Sequence, residues 1–242
     1  MTTTSEPQSI PAPAPDSAPA RVETRPSVGG PSGATVLRAA GVALALAGAL
    51  CTAGGVLHPI VARKAHSVAA LTSPGTPIAQ ILLGLGTVLL ILGLPAMYAW
   101  LRPRIGWVGF AGFLCYLVGN IVTAAGHLTV ELFVAHPLAE DPATAFVIAE
   151  NDNMIGTTAF ALFNTVGGLV MLLGMGLLGA SMLRHRAVPR WIAVLTLVGM
   201  AGFFLPVPAV QGLSGLLYEA PRGLAVAAIG VLMARRPEGW RR

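Results

Sequence analysis

The chain has 242 residues, of which 55% are hydrophobic and only 10% charged, with a formal net charge of +5 and a mean hydropathy of +0.73. A water-facing domain carries about 25% charged residues, so this composition excludes an ordinary soluble protein and points to a polytopic membrane protein. The positive charge is not a nucleic-acid footprint, because most Arg residues flank apolar runs where membrane topology accounts for them.

Residues 1–35 are rich in Pro, Ala, Ser and Thr. Such a segment buries too little surface to offset its ordering entropy, and it reads as a disordered tail. It has no charged start followed by an apolar stretch, so it is not a signal peptide. Six apolar runs follow, near 37–58, 78–100, 106–130, 156–182, 191–210 and 212–233. Each is long enough to cross ~30 Å of hydrocarbon as a helix, and lipid demands that backbone groups be satisfied within the segment. The expected fold is all-α: a bundle of six transmembrane helices over 36–236, followed by a short basic tail at 237–242.

Lys and Arg in the connections set the orientation. Arg21, Arg25, Arg38, Arg102, Arg104, Arg184, Arg186, Arg190, Arg235, Arg236, Arg241 and Arg242 fall on one side, against Arg63 and Lys64 on the other. The longest loop on that other side is acidic, with Glu140, Asp141, Glu150 and Asp152. Both termini are expected in the cytoplasm. Trp107, Trp191 and Trp240 each follow a basic helix end. This pattern fits three copies of a two-helix hairpin, or independent selection of Arg and Trp at one interface. Cys51 and Cys115 sit inside apolar runs and read as small buried hydrophobes.

The polar residues inside the runs are the functional signal. Asn120, Thr123, His127 and Glu131 share one helical face. Counting 1.5 Å per residue from each basic anchor puts His58, Gln80, His127, Asn164 and Gln211 at the far edge of the hydrocarbon, with Glu219 slightly deeper. The inner half holds almost no polar group. That pattern describes an outer vestibule closed below by an apolar plug, which counts against a channel and more weakly against a transporter.

Three constellations stand out. His58, His127, Glu131 and His136 form an imidazole–carboxylate set suited to zinc, copper or non-haem iron, and facing His residues suit a b-type haem. The plain alternative is that His58-Pro59 and His136-Pro137 punctuate helix ends. Glu219 and Arg222 form an i, i+3 pair within the membrane region, either an internal ion pair or a ligand contact. Asn120 and Thr123 are expected to glue helices together through Asn164 or Thr165, and the acidic loop is expected to be solvated.

The opening Leu-Arg-Ala-Ala-Gly through Gly-Val-Leu-His-Pro, the segment Leu-Arg-Pro-Arg-Ile-Gly-Trp-Val-Gly and the basic close of the last helix resemble the uncharacterised small multi-spanning membrane proteins of high-GC Gram-positive bacteria. The resemblance covers 36–236 and implies a bacterial plasma-membrane location. It carries no catalytic residue, substrate or cofactor. The sequence therefore predicts a membrane protein whose outward-facing polar pocket, with His127, Glu131, Asn164, Glu219 and Arg222, takes a small ligand, lipid headgroup or metal. A metal or haem protein with redox or hydrolytic activity, and a small-solute transporter, are the alternatives. The lipid bilayer is the expected partner, and nucleic acid is not.

Overall fold

The computed structural model describes residues 30–149 and 151–238. The expected disorder of residues 1–29 lies outside the described residues, as do Arg21, Arg25, Glu150, Trp240, Arg241 and Arg242. Regular structure among the described residues is helical: α1 (Gly33–Leu57), α2 (Val68–Leu71), α3 (Thr76–Thr123), α4 (His136–Glu140), α5 (Thr158–His185), α6 (Arg190–Gly202) and α7 (Leu213–Arg235).

Helix α1 begins inside the expected tail because Ser32 caps it, accepting a hydrogen bond from Thr35 N at 3.2 Å. Helix α3 is two antiparallel arms. At Gly106 the backbone takes φ +57° and ψ −167°, a conformation open essentially to glycine alone, and the chain doubles back there. Tyr98 then stacks on Phe113 with ring centroids 4.6 Å apart. The expected loop at Arg102-Pro103-Arg104 is therefore helical, with Pro103 inside the first arm.

The second arm runs past its expected end at 130. It passes through two π-helical turns, Ala124–Leu128 and Glu131–Ala135, into α4. Pro137 does not stop it, because the position sits at the start of a new helical turn where an amide hydrogen is dispensable.

Four helical stretches are long and apolar enough to cross a membrane: Gly33–Leu57, Thr76–Glu140, Thr158–His185 and Leu213–Arg235. Helix α6 corrects the sequence reading. It stops at Gly202 after 13 residues, about 20 Å, and not near 210. Pro206 and Pro208 supply no amide hydrogen and cannot prolong it.

Glycines set the packing, since a missing side chain lets two helix backbones approach. A methyl group on Gly41 would meet the backbone of Gly230 in α7, one on Gly48 would meet Gly223, and one on Gly55 would meet Glu219. These contacts pair α1 antiparallel with α7. Gly112 and Gly119 similarly fit against Leu178 and Met171, pairing the second arm of α3 with α5. The first arm lies on α1 through Gly86 against Cys51, and α6 lies between α5 and α7. The five long segments and the shorter α6 alternate in direction. One end of the bundle carries Arg38, Arg102, Arg104, Arg184, Arg186, Arg190, Arg235 and Arg236. The other end carries the connections 58–75, 141–157 and 203–212.

The half nearer the Arg-rich end is an apolar core that includes Leu44, Leu94, Met97, Met175, Met182 and Met233. A void of about 20 Å³ remains beneath Arg222, room for about one water. At the opposite end a second cluster, Leu71, Ala135, Ala139, Ile148 and Met154, seats α2 and the loop 141–157 over the bundle.

Candidate metal centre and adjoining cavity

Under that cap, three histidines converge on one carboxylate. Glu131 is completely buried. His58 Nε2 lies 2.9 Å from its Oε1, while His66 Nε2 and His127 Nε2 lie 3.5 and 3.4 Å from Oε2. Each side chain arrives for a local reason. His58 caps the C-terminus of α1, where the following Pro59 forces extended backbone (φ −61°, ψ 122°) and ends the helix. His66 precedes Ser67, whose hydroxyl caps the single turn of α2. His127 and Glu131 stand on the two π turns. A π turn adds a residue to the helical circuit, and such bulges cluster at functional positions.

The outer ring nitrogens are already committed. His58 Nδ1 lies 3.1 Å from the carbonyl oxygen of Pro59, and His66 Nδ1 lies 3.0 Å from that of Asp152. A carbonyl only accepts, so in both rings Nδ1 carries the hydrogen. In the neutral rings each Nε2 then presents a lone pair to an anionic carboxylate. A set made only of acceptors is repulsive unless a cation enters it. His66 Nε2 and Glu131 Oε2 are accordingly buried with no hydrogen-bond partner.

A proton is one such cation. Burial lowers the pKa of His66, but Glu131 and Asp152 outweigh this and hold it above its ordinary value. A metal ion is the other. Ligand atoms about 2.0–2.1 Å from a tetrahedral zinc lie roughly 3.3 Å from each other, and the separations of His58 and His66 from Glu131, 2.9 and 3.5 Å, bracket that value. His58, His66 and Glu131 form the tight set, with ligating atoms within 4.8 Å of one another.

Asp152 braces this set from outside. Its carboxylate accepts from Ala65 N (3.2 Å) and His66 N (2.6 Å), and its own backbone holds φ +68°, a left-handed value that Asp adopts more readily than most residues. Ligating imidazoles are commonly oriented through the ring nitrogen remote from the metal.

His127 also touches the edge of His66, with centroids 5.0 Å apart, and forms part of the wall of a cavity of about 240 Å³. Asn120, Thr123, Asn164, Glu219 and Arg222 line the same cavity. Arg222, nearly buried, is ion-paired with Glu219 and directs Nη1 to Met171 Sδ at 3.4 Å. Comparison with known proteins adds no further assignment. No protein-family model, curated protein or solved structure matches the chain.

The polar residues expected from the sequence thus divide between two neighbouring places. His58, His127 and Glu131 meet, and His127, Asn164, Glu219 and Arg222 share the cavity. His136 belongs to neither, because its Nδ1 bonds to Leu71 O at 2.6 Å and its Nε2 faces Glu140 at 3.6 Å, tying α4 to α2. Asn120 does not act as glue through its amide nitrogen, which donates to Tyr116 O in its own helix. Gln211 is exposed in the connection before α7. The acidic loop is not merely solvated, since Asp152 grips His66. His66 stands between the other two rings, its centroid 5.7 Å from that of His58 and 5.0 Å from that of His127. His66 is the residue that helix-by-helix reading misses. The available signal was that His58, His66, His127 and His136, four of the chain's five histidines, fall towards one side.

Proposed function

We propose that the chain is a six-pass membrane metalloprotein with its Arg-rich end in the cytoplasm and its metal centre facing outward. The two arms of α3 supply two passes. The short α6 with the connection 203–212 supplies another. The charge asymmetry supports the orientation. His58, His66 and Glu131 hold a divalent transition metal, zinc by preference for this nitrogen–carboxylate set. Three protein ligands leave one coordination position, the arrangement of catalytic rather than structural zinc. His127 stands between the metal and the cavity, which makes the cavity the substrate side and the site a Lewis-acid, hydrolytic centre. The methionine-rich floor beneath Arg222 favours this reading over a transporter.

The observation that carries the proposal is the pair of committed Nδ1 atoms, which aim two Nε2 lone pairs at the buried Glu131. The test is metal analysis of full-length protein purified in detergent, followed by cobalt substitution. We expect close to one metal per chain, a visible cobalt spectrum, and loss of both in His58→Ala and His66→Ala. A metal-free, colourless protein whose thermal stability ignores chelator and added zinc overturns it.

A further inference from the structure

Gln80 is a polar side chain that neither the centre nor the cavity has yet absorbed. It stands one turn after Thr76 in the first arm of α3 and is only 1% exposed. Neither its Nε2 nor its Oε1 has a hydrogen-bond partner. An amide carries two donors and an acceptor, and burying them unpaired is unfavourable where water cannot reach. A partner for Gln80 must therefore come from inside the bundle.

The antiparallel arms of α3 fix what lies opposite. Gln80 and Tyr98 are eighteen residues apart, five full helical turns, so they share one face. Tyr98 stacks on Phe113 of the second arm. Leu83 and Thr87, on the same face, line the cavity across from Asn120, Thr123 and His127. From Phe113 a further eighteen residues lead to Glu131, so each arm climbs about 27 Å from the stacked rings. A second tie at the outer end gives the same alignment. Thr76 Oγ1 donates to Ala70 O at 2.7 Å and His136 Nδ1 donates to Leu71 O at 2.6 Å. Adjacent residues of α2 thus hold the arms level at 76 and 136, and one turn in from these ties stand Gln80 and Glu131. Glu131 supplies what Gln80 lacks. Its Oε1 lies 2.9 Å from His58 Nε2, while its Oε2 is buried without a hydrogen-bond partner. A carboxylate that gives one oxygen to a metal keeps an acceptor on the other, and ligating carboxylates are themselves hydrogen-bonded.

We infer that Gln80 is a positioning residue of the metal centre: its Nε2 donates to Glu131 Oε2 and holds the carboxylate in the orientation that offers Oε1 to the ion. The inference rests on the metal reading above and adds a brace to it. Asp152 orients one ligand from the outer loop, and Gln80 orients another from within the bundle.

The test uses full-length protein in detergent and the variant Gln80→Leu, which removes both amide atoms from a side chain of similar size. Zinc affinity, read by competition with a chelating dye, falls about 10–100-fold, and the cobalt-substituted variant shows an altered visible spectrum. The chelator-stripped variant melts at or above the wild-type temperature, because an apolar side chain replaces an amide without partners. Gln211→Leu, in the exposed connection before α7, changes zinc affinity less than about twofold. Equal zinc affinity and an identical cobalt spectrum in Gln80→Leu, with wild type holding one metal per chain, overturn this inference alone. Metal-free Gln80→Leu that melts below wild type assigns Gln80 to the fold rather than to the centre, and overturns it as well. Wild type that takes up no metal overturns the metal reading and this inference together.

Discussion

His58 and Glu131 are 73 positions apart in the chain, and their side chains meet at 2.9 Å. The contact joins the end of α1 to a π turn that follows the second arm of α3, under a cap formed by α2 and the loop 141–157. Glu131 accepts from protonated imidazoles or shares a metal with neutral ones. Replacing it with Gln keeps the shape and removes the charge that a cation requires. Glu131→Gln is expected to lower zinc affinity by about a hundredfold or more, while His136→Ala leaves it unchanged; competition with a chelating dye measures both.

Asp152 never reaches the centre itself, yet it orients His66 through two backbone amides and one carbonyl. Asp152→Ala removes the carboxylate and leaves the carbonyl. Zinc affinity is expected to fall about 10–100-fold, with the stoichiometry of one retained. Isothermal titration separates these two quantities.

The raised pKa of His66 has a consequence for the metal-free protein. A folded value above the unfolded one adds stability that is fully present below about pH 6.5 and is lost as pH rises through the folded value. The melting temperature of chelator-stripped protein is expected to fall as pH rises above about 6.5. Zinc-loaded protein follows the opposite course on the acid side, because protons compete with metal for the imidazoles. In the His66→Ala variant the metal-free slope flattens.

Glu219 and Arg222 test the cost of a lone charge in the bundle. Glu219→Gln leaves Arg222 without its counter-charge and is expected to destabilise the protein by about 3–5 kcal/mol. Adding Arg222→Met recovers most of that loss. A detergent-unfolding cycle of the two single variants and the double reads the coupling directly.

Gly106 allows the two arms of α3 to reverse over one residue. Gly106→Ala places a side chain at φ +57° and ψ −167° and is expected to cost about 1–3 kcal/mol, seen as a lower melting temperature with metal stoichiometry intact.

Much of this architecture is written in hydropathy. Helical runs can be found because lipid allows little else, and the depth of His58 and His127 follows from their distance to Arg38 and Trp107. What is hidden has physical reasons. The π turns at 124–128 and 131–135 change no composition, so the straight row from Asn120 to Glu131 gives no sign that it divides between cavity and centre. His66 and Asp152 lie in connections without periodicity, and only tertiary contact brings them together. Pro206 and Pro208 do mark the end of α6, although apolar neighbours such as Phe203, Phe204 and Leu205 hide the stop.

The seam between α1 and α7 bears on how the protein is made. Gly41, Gly48 and Gly55 wait for Gly230, Gly223 and Glu219 of the final helix, and the cavity wall is incomplete until Glu219 and Arg222 arrive. At a synthesis rate of ~5–20 residues per second, the ribosome needs roughly 8–30 s to travel from Leu57 to Leu213. During that time α1 lies in the bilayer with its narrow glycine face unclaimed. Completion of the last helix is thus the step that closes the ring, and a chain truncated before it carries His58, His66 and Glu131 but has no closed compartment beside them.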